Sequence, residues 1–217
     1  MRERAADEFS TRRSNLASVT DDRVRRPRDR HRRERTNQQD RGHPRPIAWV
    51  STVDGDGTEN LAPFSSYNYL GSSRPVLAFS AATEQDGEPK DTVDNVLETE
   101  EFAVNVVTEP LIETMDAMAA GLPPEEIEFA FADVERAECR QIAPPRVANA
   151  AVTMGCTLYD TLDPYDRTVI LGGVRHYHVP EDVLTDGRID SRKLATVGRL
   201  DSPYYTVSEP VEFERQV

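Results

Sequence analysis

The sequence predicts a mainly β domain with a few helical excursions (α+β), an antiparallel barrel or sandwich over residues 44–217, preceded by an arginine-rich arm over residues 1–43. Three observations carry this expectation. Long runs of strand-forming residues are joined by Asp-Gly and Asp-Pro turn chemistry, which favours hairpins. Helix-period patterns are few and short. The marks of a doubly wound nucleotide fold are missing: no Gly-x-Gly-x-x-Gly follows the first strand-like run and no phosphate-loop Gly-Lys-Ser/Thr occurs. A chain of 217 residues fits one domain with an appendage.

Taken in order, RPIAWVSTV from Arg45 is an apolar run that ends in Asp54-Gly55-Asp56-Gly57, and a second extended segment, NLAPFSSYNYL, follows. Strand formers on both sides of Asp-Gly residues predict a hairpin. After Ser72-Ser73-Arg74-Pro75, VLAFSAA has the length of a buried strand. The polar loop TEQDGEP leads into KDTVDNVLETEEF, where Val93, Val96 and Leu97 recur at i, i+3 and i+4 and Asp91 or Thr92 is placed to cap a short amphipathic helix. FAVNVV reads as a strand. EPLIETMDAMAAGLP has a proline near its first turn and Gly121 at its end, the asymmetry of a helix, and Pro123-Pro124 stops it. AVTMGCTLYDTL and RTVILGGVRHYHV are two long β segments separated by Asp163-Pro164-Tyr165-Asp166.

Charge divides the chain. Residues 1–43 hold 13 arginines against 8 acids, a net of +5, whereas residues 44–217 have a net of −18. The first stretch has almost no apolar periodicity, so disorder is its physical default. A basic arm for a polyanion, a solvated tail and a start assigned upstream of a protein beginning near Gly42 all fit it. No aromatic residue interleaves the arginines from Arg23 to Arg41, so no nucleic-acid partner is expected. The body holds the chain's two lysines, Lys90 and Lys193. Its acid excess suits concentrated salt, where surface repulsion is screened, so a halophilic source is expected. The same charge makes DNA, RNA and anionic membranes poor partners. No apolar run reaches the length of a membrane span, and the basic start lacks the apolar core of a secretory signal, so a cytoplasmic protein is expected. Cys139 and Cys156 lack the spacing of a redox or zinc pair and read as reduced, buried thiols.

No Gly-x-Ser-x-Gly elbow is present. His176 and His178 sit at i, i+2 on one face of a predicted strand, but no cysteine or carboxylate spacing completes a third ligand, so no metal site is expected there. Small polar and aromatic residues gather around strand ends and one helix start: Ser51 and Thr52; Ser65, Ser66, Tyr67 and Asn68; Ser80; and Lys90, Asp91 and Thr92. A helix N-terminus carries unpaired N–H groups and partial positive charge, a seat for phosphate, and Lys90 adds an ammonium in a strongly acidic body. A solvated loop lysine before an ordinary helix explains the same residues.

The string PRPIAWVSTVDGDGTENLAPFSSYN, followed by Phe79-Ser80, KDT, Asn95 and FAVN, then CRQIAPPRVANAAVTMGCTL, VILGGVRHYHV and VLTDGRIDSRKLATVGRLDSPYY, resembles the flavin reductase-like family of FMN-binding split barrels, which includes flavoredoxin. The resemblance spans residues 44–206. It implies a six-stranded antiparallel split β-barrel, a homodimer, and FMN near the subunit interface. Trp49, Ser51, Thr52, Ser65, Ser66, Tyr67 and Asn68 would line the isoalloxazine and ribityl chain, Lys90 and Thr92 would meet the phosphate, and Ser80 and Asp91 complete the cofactor-binding set. Where Ser66 and Tyr67 stand, the family often has apolar residues. The implied activity is an FMN-dependent oxidoreductase that takes electrons from NADH or NADPH to a flavin or small acceptor. Its alternative is an electron carrier that serves a redox partner protein. Either needs no catalytic side chain, because the flavin ring performs the transfer. Arg199, Tyr204 and Tyr205 would cover the flavin or pack on the barrel, and packing is the expectation.

Overall fold

Asp-Gly chemistry shapes the first hairpin. After β1 (Arg45–Pro46) and β2 (Ala48–Val53) the chain reverses at Asp54, whose Oδ1 accepts the N–H groups of Asp56 at 2.9 Å and Thr58 at 2.7 Å. Gly57 takes φ +89°, a left-handed conformation that suits glycine. β3 (Glu59–Phe64) returns antiparallel in register from Val53↔Glu59 to Ala48↔Phe64. The computed structural model describes residues 43–71, 73–83, 88–119, 129 and 134–214. Contacts divide the chain into residues 1–41 and 42–217, and the fold is that of the second unit. The expected arm lies outside the described residues except for His43.

β4 (Tyr67–Tyr69) and β5 (Val76–Ala82) follow, the latter alternating half-buried and buried positions as a strand should. α1 (Asp91–Thr99) is the expected helix, with its cap corrected. The N-cap is Lys90, not Asp91 or Thr92: the Lys90 carbonyl accepts the N–H groups of Val93 at 2.7 Å and Asp94 at 3.1 Å. Thr92 is drawn inward instead, donating its hydroxyl to Asn60 Oδ1 at 3.0 Å. Thr92, Val93, Asn95 and Val96 are buried while Leu97 is exposed, because the buried face mixes valines with residues bonded to the hairpin. β6 (Glu101–Val106), a 3₁₀ turn through Pro110 and α2 (Ile112–Met118) come next; Gly121 and Pro123-Pro124 lie outside the described residues. Short strands β7 (Arg136–Ala137) and β8 (Arg146–Val147) precede the long pair β9 (Thr153–Leu162) and β10 (Arg167–His178), the two β segments read from sequence. β11 (Leu184–Thr185), β12 (Arg188–Ile189), β13 (Val197–Arg199) and β14 (Tyr205–Val207) complete the described chain.

The main sheet is antiparallel with the order β3-β2-β6-β9-β10-β5-β4. Its outer strands β3 and β4 are joined by Ser65 and Ser66 alone. Such a link spans about 10 Å at most, so the sheet curls until its edges meet. Ser80 N–H donates to Ser66 O at 2.9 Å and the Phe64 and Phe79 rings meet with centres 5.0 Å apart, tilted by 40°, across the closure. The main sheet has seven strands rather than six, because pairing resumes as β4 after the link. Inside the curl, Val50, Leu77, Phe79, Val96, Phe102, Val104 and Ile170 form the first core, with Phe79 and Phe102 edge to face at 5.5 Å. Gly172 is required by close approach: a Cβ there would lie 2.2 Å from Phe102 Cζ. A second core joins Trp49, Leu61, Leu111, Met115, Met118 and Val197. Each large apolar side chain so buried contributes about 1.5–3 kcal/mol.

β1, β13 and β14 form a small sheet. There Arg199 packs as expected: its Nη1 donates to Tyr205 Oη at 2.7 Å, its guanidinium lies 5.0 Å from the Tyr205 ring centre, and the Tyr205 hydroxyl donates to Asp116 Oδ1. Tyr204 is exposed. Among the described residues no helix is long and apolar enough to cross a membrane.

Candidate functional site

β3, the Ser65-Ser66 link, the end of β5, the start of α1 and the end of α2 surround a cavity of ≈ 500 Å³, inside the range of about 300–1,000 Å³ usual for ligand pockets. Each wall has a local cause. The link exists because the barrel closes there, and it presents Ser65 and Ser66. Lys90 lines the cavity as the N-cap of α1, where the helix dipole adds positive potential. Arg167 enters from the first position of β10, paired with Ala82, and is anchored by Nε to Ser80 Oγ and Nη2 to Ser80 O, both at 3.1 Å. These two bonds use two of the five guanidinium N–H donors. Asp91 also lines the cavity, so a carboxylate stands beside the two cations.

Of the sequence-predicted site residues, the fold brings Ser65, Ser66, Ser80, Lys90, Asp91 and Thr92 to this cavity. The other five lie elsewhere. Tyr67 is half-buried against the first core, and burial pushes its phenol well above the usual range. Asn68 is exposed and its Oδ1 accepts the Tyr69 N–H at 3.0 Å. Trp49, Ser51 and Thr52 are 0% exposed and line no part of the cavity, because β2 is flanked by β3 and β6 and buried on both faces. Ser51 donates to Pro145 O at 2.5 Å and accepts from Asn105 Nδ2 at 3.3 Å, while Thr52 Oγ1 accepts from Asn95 Nδ2 at 3.1 Å. Sequence reasoning missed Asn60 and Arg167. Asn60 could have been found from the hairpin register, which sets it opposite Thr52. Arg167 carries no local signal, since its place depends on pairing with a strand 87 residues earlier.

Elsewhere the fold brings to the two histidines a neighbour that their spacing does not show: Cys139 Sγ and ring nitrogens of His176 and His178 all lie within 4.8 Å of one another. Burial pushes the Cys139 thiol up to about 11, and burial first, then the neighbouring arginine charge, holds the His176 imidazole below its ordinary value.

The family model described as "Flavin reductase like domain" matches residues 40–195. The chain belongs to this family. An uncharacterized protein of Aquifex aeolicus is 39% identical to this flavin reductase-like chain over 163 residues, 75% of this chain and 83% of that protein. Among solved structures, nitrilotriacetate monooxygenase component B from Bacillus cereus superposes with a TM-score of 0.78 at 28% identity, covering 92% of this chain and 98% of the other. Flavoredoxin of Desulfovibrio vulgaris (Miyazaki F) superposes at 0.70 with 18% identity, over 80% and 91% of the two chains, a likeness of fold. The sequence resemblance and the split-barrel expectation are thus borne out for this flavin reductase-like chain.

Proposed function

We propose that this flavin reductase-like protein holds FMN in the cavity and carries electrons from NADH or NADPH to a flavin or small acceptor, as a homodimer. One observation supports the reading most: Lys90, the N-terminus of α1 and Arg167 converge on a single cavity in a body of net charge −18. Positive groups so placed suit the terminal phosphate of FMN. The hydroxyls of Ser65, Ser66 and Ser80 supply hydrogen bonds for a ribityl chain or ring edge. When bound, the isoalloxazine supplies hydride and electron transfer. The chain's own residues bind the phosphate, orient the ring and shield it on the side of Leu61, Pro63 and Met118.

The homodimer reading is supported by Tyr159, Leu162 and Tyr165, large side chains exposed together towards the tip of the β9–β10 hairpin. The acid excess of the body supports a salt-rich cytoplasm as its setting. The test of the whole reading is anaerobic mixing of FMN-loaded protein with NADH and with NADPH. Rapid bleaching of the oxidised flavin band by either is expected. FMN uptake without bleaching by either would make the protein an electron carrier, and failure to take up FMN in molar KCl would remove the reading altogether.

A further inference from the structure

We propose that Cys139, His176 and His178 form a three-ligand site for a divalent transition-metal ion, zinc foremost, which clasps the segment between β7 and β8 to the far end of β10. The two histidines stand at i, i+2 and so project from one face of β10; their ring centres are 4.8 Å apart. A register irregularity between Val174 and His176 re-aims this end of the strand, as bulges do. Cys139 reaches them from a different part of the chain, and the adjacent Arg140 N–H donates to His178 Nε2 at 3.1 Å, so the segment is already docked on the imidazole pair. The three ligand atoms lie within 4.8 Å of one another.

Two further observations point to a ligand rather than to packing. Both ring nitrogens of His176 are buried with no hydrogen-bond partner among the described residues, a situation native structures avoid unless something satisfies the group. The space for that ring is also built in. A Cβ at Gly155 would sit 2.0 Å from His176 Cε1 and 2.4 Å from Nε2, so only glycine lets the imidazole lie against β9 at this position.

One thiolate and two imidazoles make a borderline-soft donor set that suits zinc or copper and not magnesium or calcium. Zinc–sulfur and zinc–nitrogen bonds of about 2.3 and 2.0–2.1 Å place tetrahedral ligand atoms about 3.5 Å apart, so closing on the ion needs a contraction of about 1 Å, within reach of the Cys139 and His178 side-chain torsions. The ion would take over the lone pair that His178 Nε2 offers to the Arg140 N–H, and water would fill the fourth position. Arg140 and Arg146 lie close enough to oppose the added charge, which the Cys139 thiolate offsets. The site lies at the other end of β10 from Arg167, roughly 30 Å along the strand at about 3.3 Å per residue, and does not depend on the flavin reading.

The test uses the full reduced chain, stripped with a chelator and titrated with zinc(II) against a chromophoric competitor, then with cobalt(II) as a spectroscopic substitute. One zinc per chain is expected. Cobalt(II) is expected to give a thiolate charge-transfer band and the strong visible bands of four-coordinate cobalt. Cys139→Ser and His178→Gln are expected to weaken zinc binding by at least about a hundredfold, beyond the loss seen when only supporting residues are changed. Zinc is expected to raise the melting temperature of the unaltered chain but not of Cys139→Ser. The histidines of residues 1–43 are common to all variants, so the difference isolates the cluster. Equal zinc affinity in the unaltered chain and Cys139→Ser would overturn the proposal. So would a cobalt complex of the unaltered chain without a thiolate band, which decides the matter even where a variant fails to fold.

Discussion

Two polar clusters of similar composition flank the β2–β3 hairpin and differ in how their hydrogen bonds close. In the buried one, Asn105 is the hub: its Nδ2 donates to Trp49 O at 3.0 Å and Ser51 Oγ at 3.3 Å, and its Oδ1 accepts from Val147 N at 2.9 Å and Thr153 Oγ1 at 3.0 Å. Ser51, Asn105 and Thr153 are all 0% exposed. This network ties β2, β6, β8 and β9 together. In the cavity cluster, Ser65, Ser66, Lys90 and Arg167 face a space large enough for a nucleotide, with Arg167 anchored on the Ser80 hydroxyl and carbonyl. Serines, threonines and asparagines therefore mean opposite things in the two places. A network that satisfies itself holds the barrel together, and a set that leaves donors facing a cavity is where a ligand is recognised.

The sharpest way to break the comparison is at its hub. Asn105→Ala leaves the buried Val147 N–H and Thr153 hydroxyl without their acceptor and is expected to lower the unfolding free energy by about 2–4 kcal/mol. Denaturant unfolding measures this, and the flavin dissociation constant of the folded protein is expected to stay the same; a change in affinity with unaltered stability would put the network in the binding site. Lys90→Ala is expected to do the reverse. Loss of one charge-assisted bond of about 1.5–3 kcal/mol corresponds to FMN binding weaker by about tenfold to a hundredfold, with the denaturation midpoint of flavin-free protein moved far less than by Asn105→Ala. Unchanged affinity would place the phosphate elsewhere.

Two smaller effects sharpen the electrostatic side. Raising KCl to molar concentration shortens the Debye length to about 3 Å, and relief of repulsion in the acidic body is expected to raise the melting temperature by a few degrees, about 1 kcal/mol in a chain of this size; a melting temperature indifferent to salt would remove the halophilic expectation. Asp91→Asn takes away the carboxylate that stands beside Lys90 in the cavity. It is expected to tighten FMN binding about twofold to threefold at low salt, roughly 0.5 kcal/mol, and the gain should vanish in molar KCl. A loss of affinity would instead make Asp91 a partner of the ligand.

Much of the fold was legible because its determinants are local. Asp54 and Gly57 specify the first turn within five residues, and the short apolar run VLAFSAA has the length of the strand it forms, β5. The family strings carry the split barrel, and Lys90 at the start of α1 marks one wall of the cavity. What escaped was which face each polar residue meets. Ser51 and Ser65 look alike in sequence, yet one is sealed in the centre of the sheet and the other sits on the link that closes it.

The sequence by itself determined the longer strands of the main sheet, the first turn, the short helix α1 and the sign of charge in each part of the chain, since hydrophobic period and turn chemistry act over a few residues. Only the tertiary structure decided that Arg167 stands over Ser80, 87 residues away, and that Cys139 joins His176 and His178. Those meetings follow from strand register and barrel closure, which are settled by the packing of the whole sheet and leave no mark on the residues that meet.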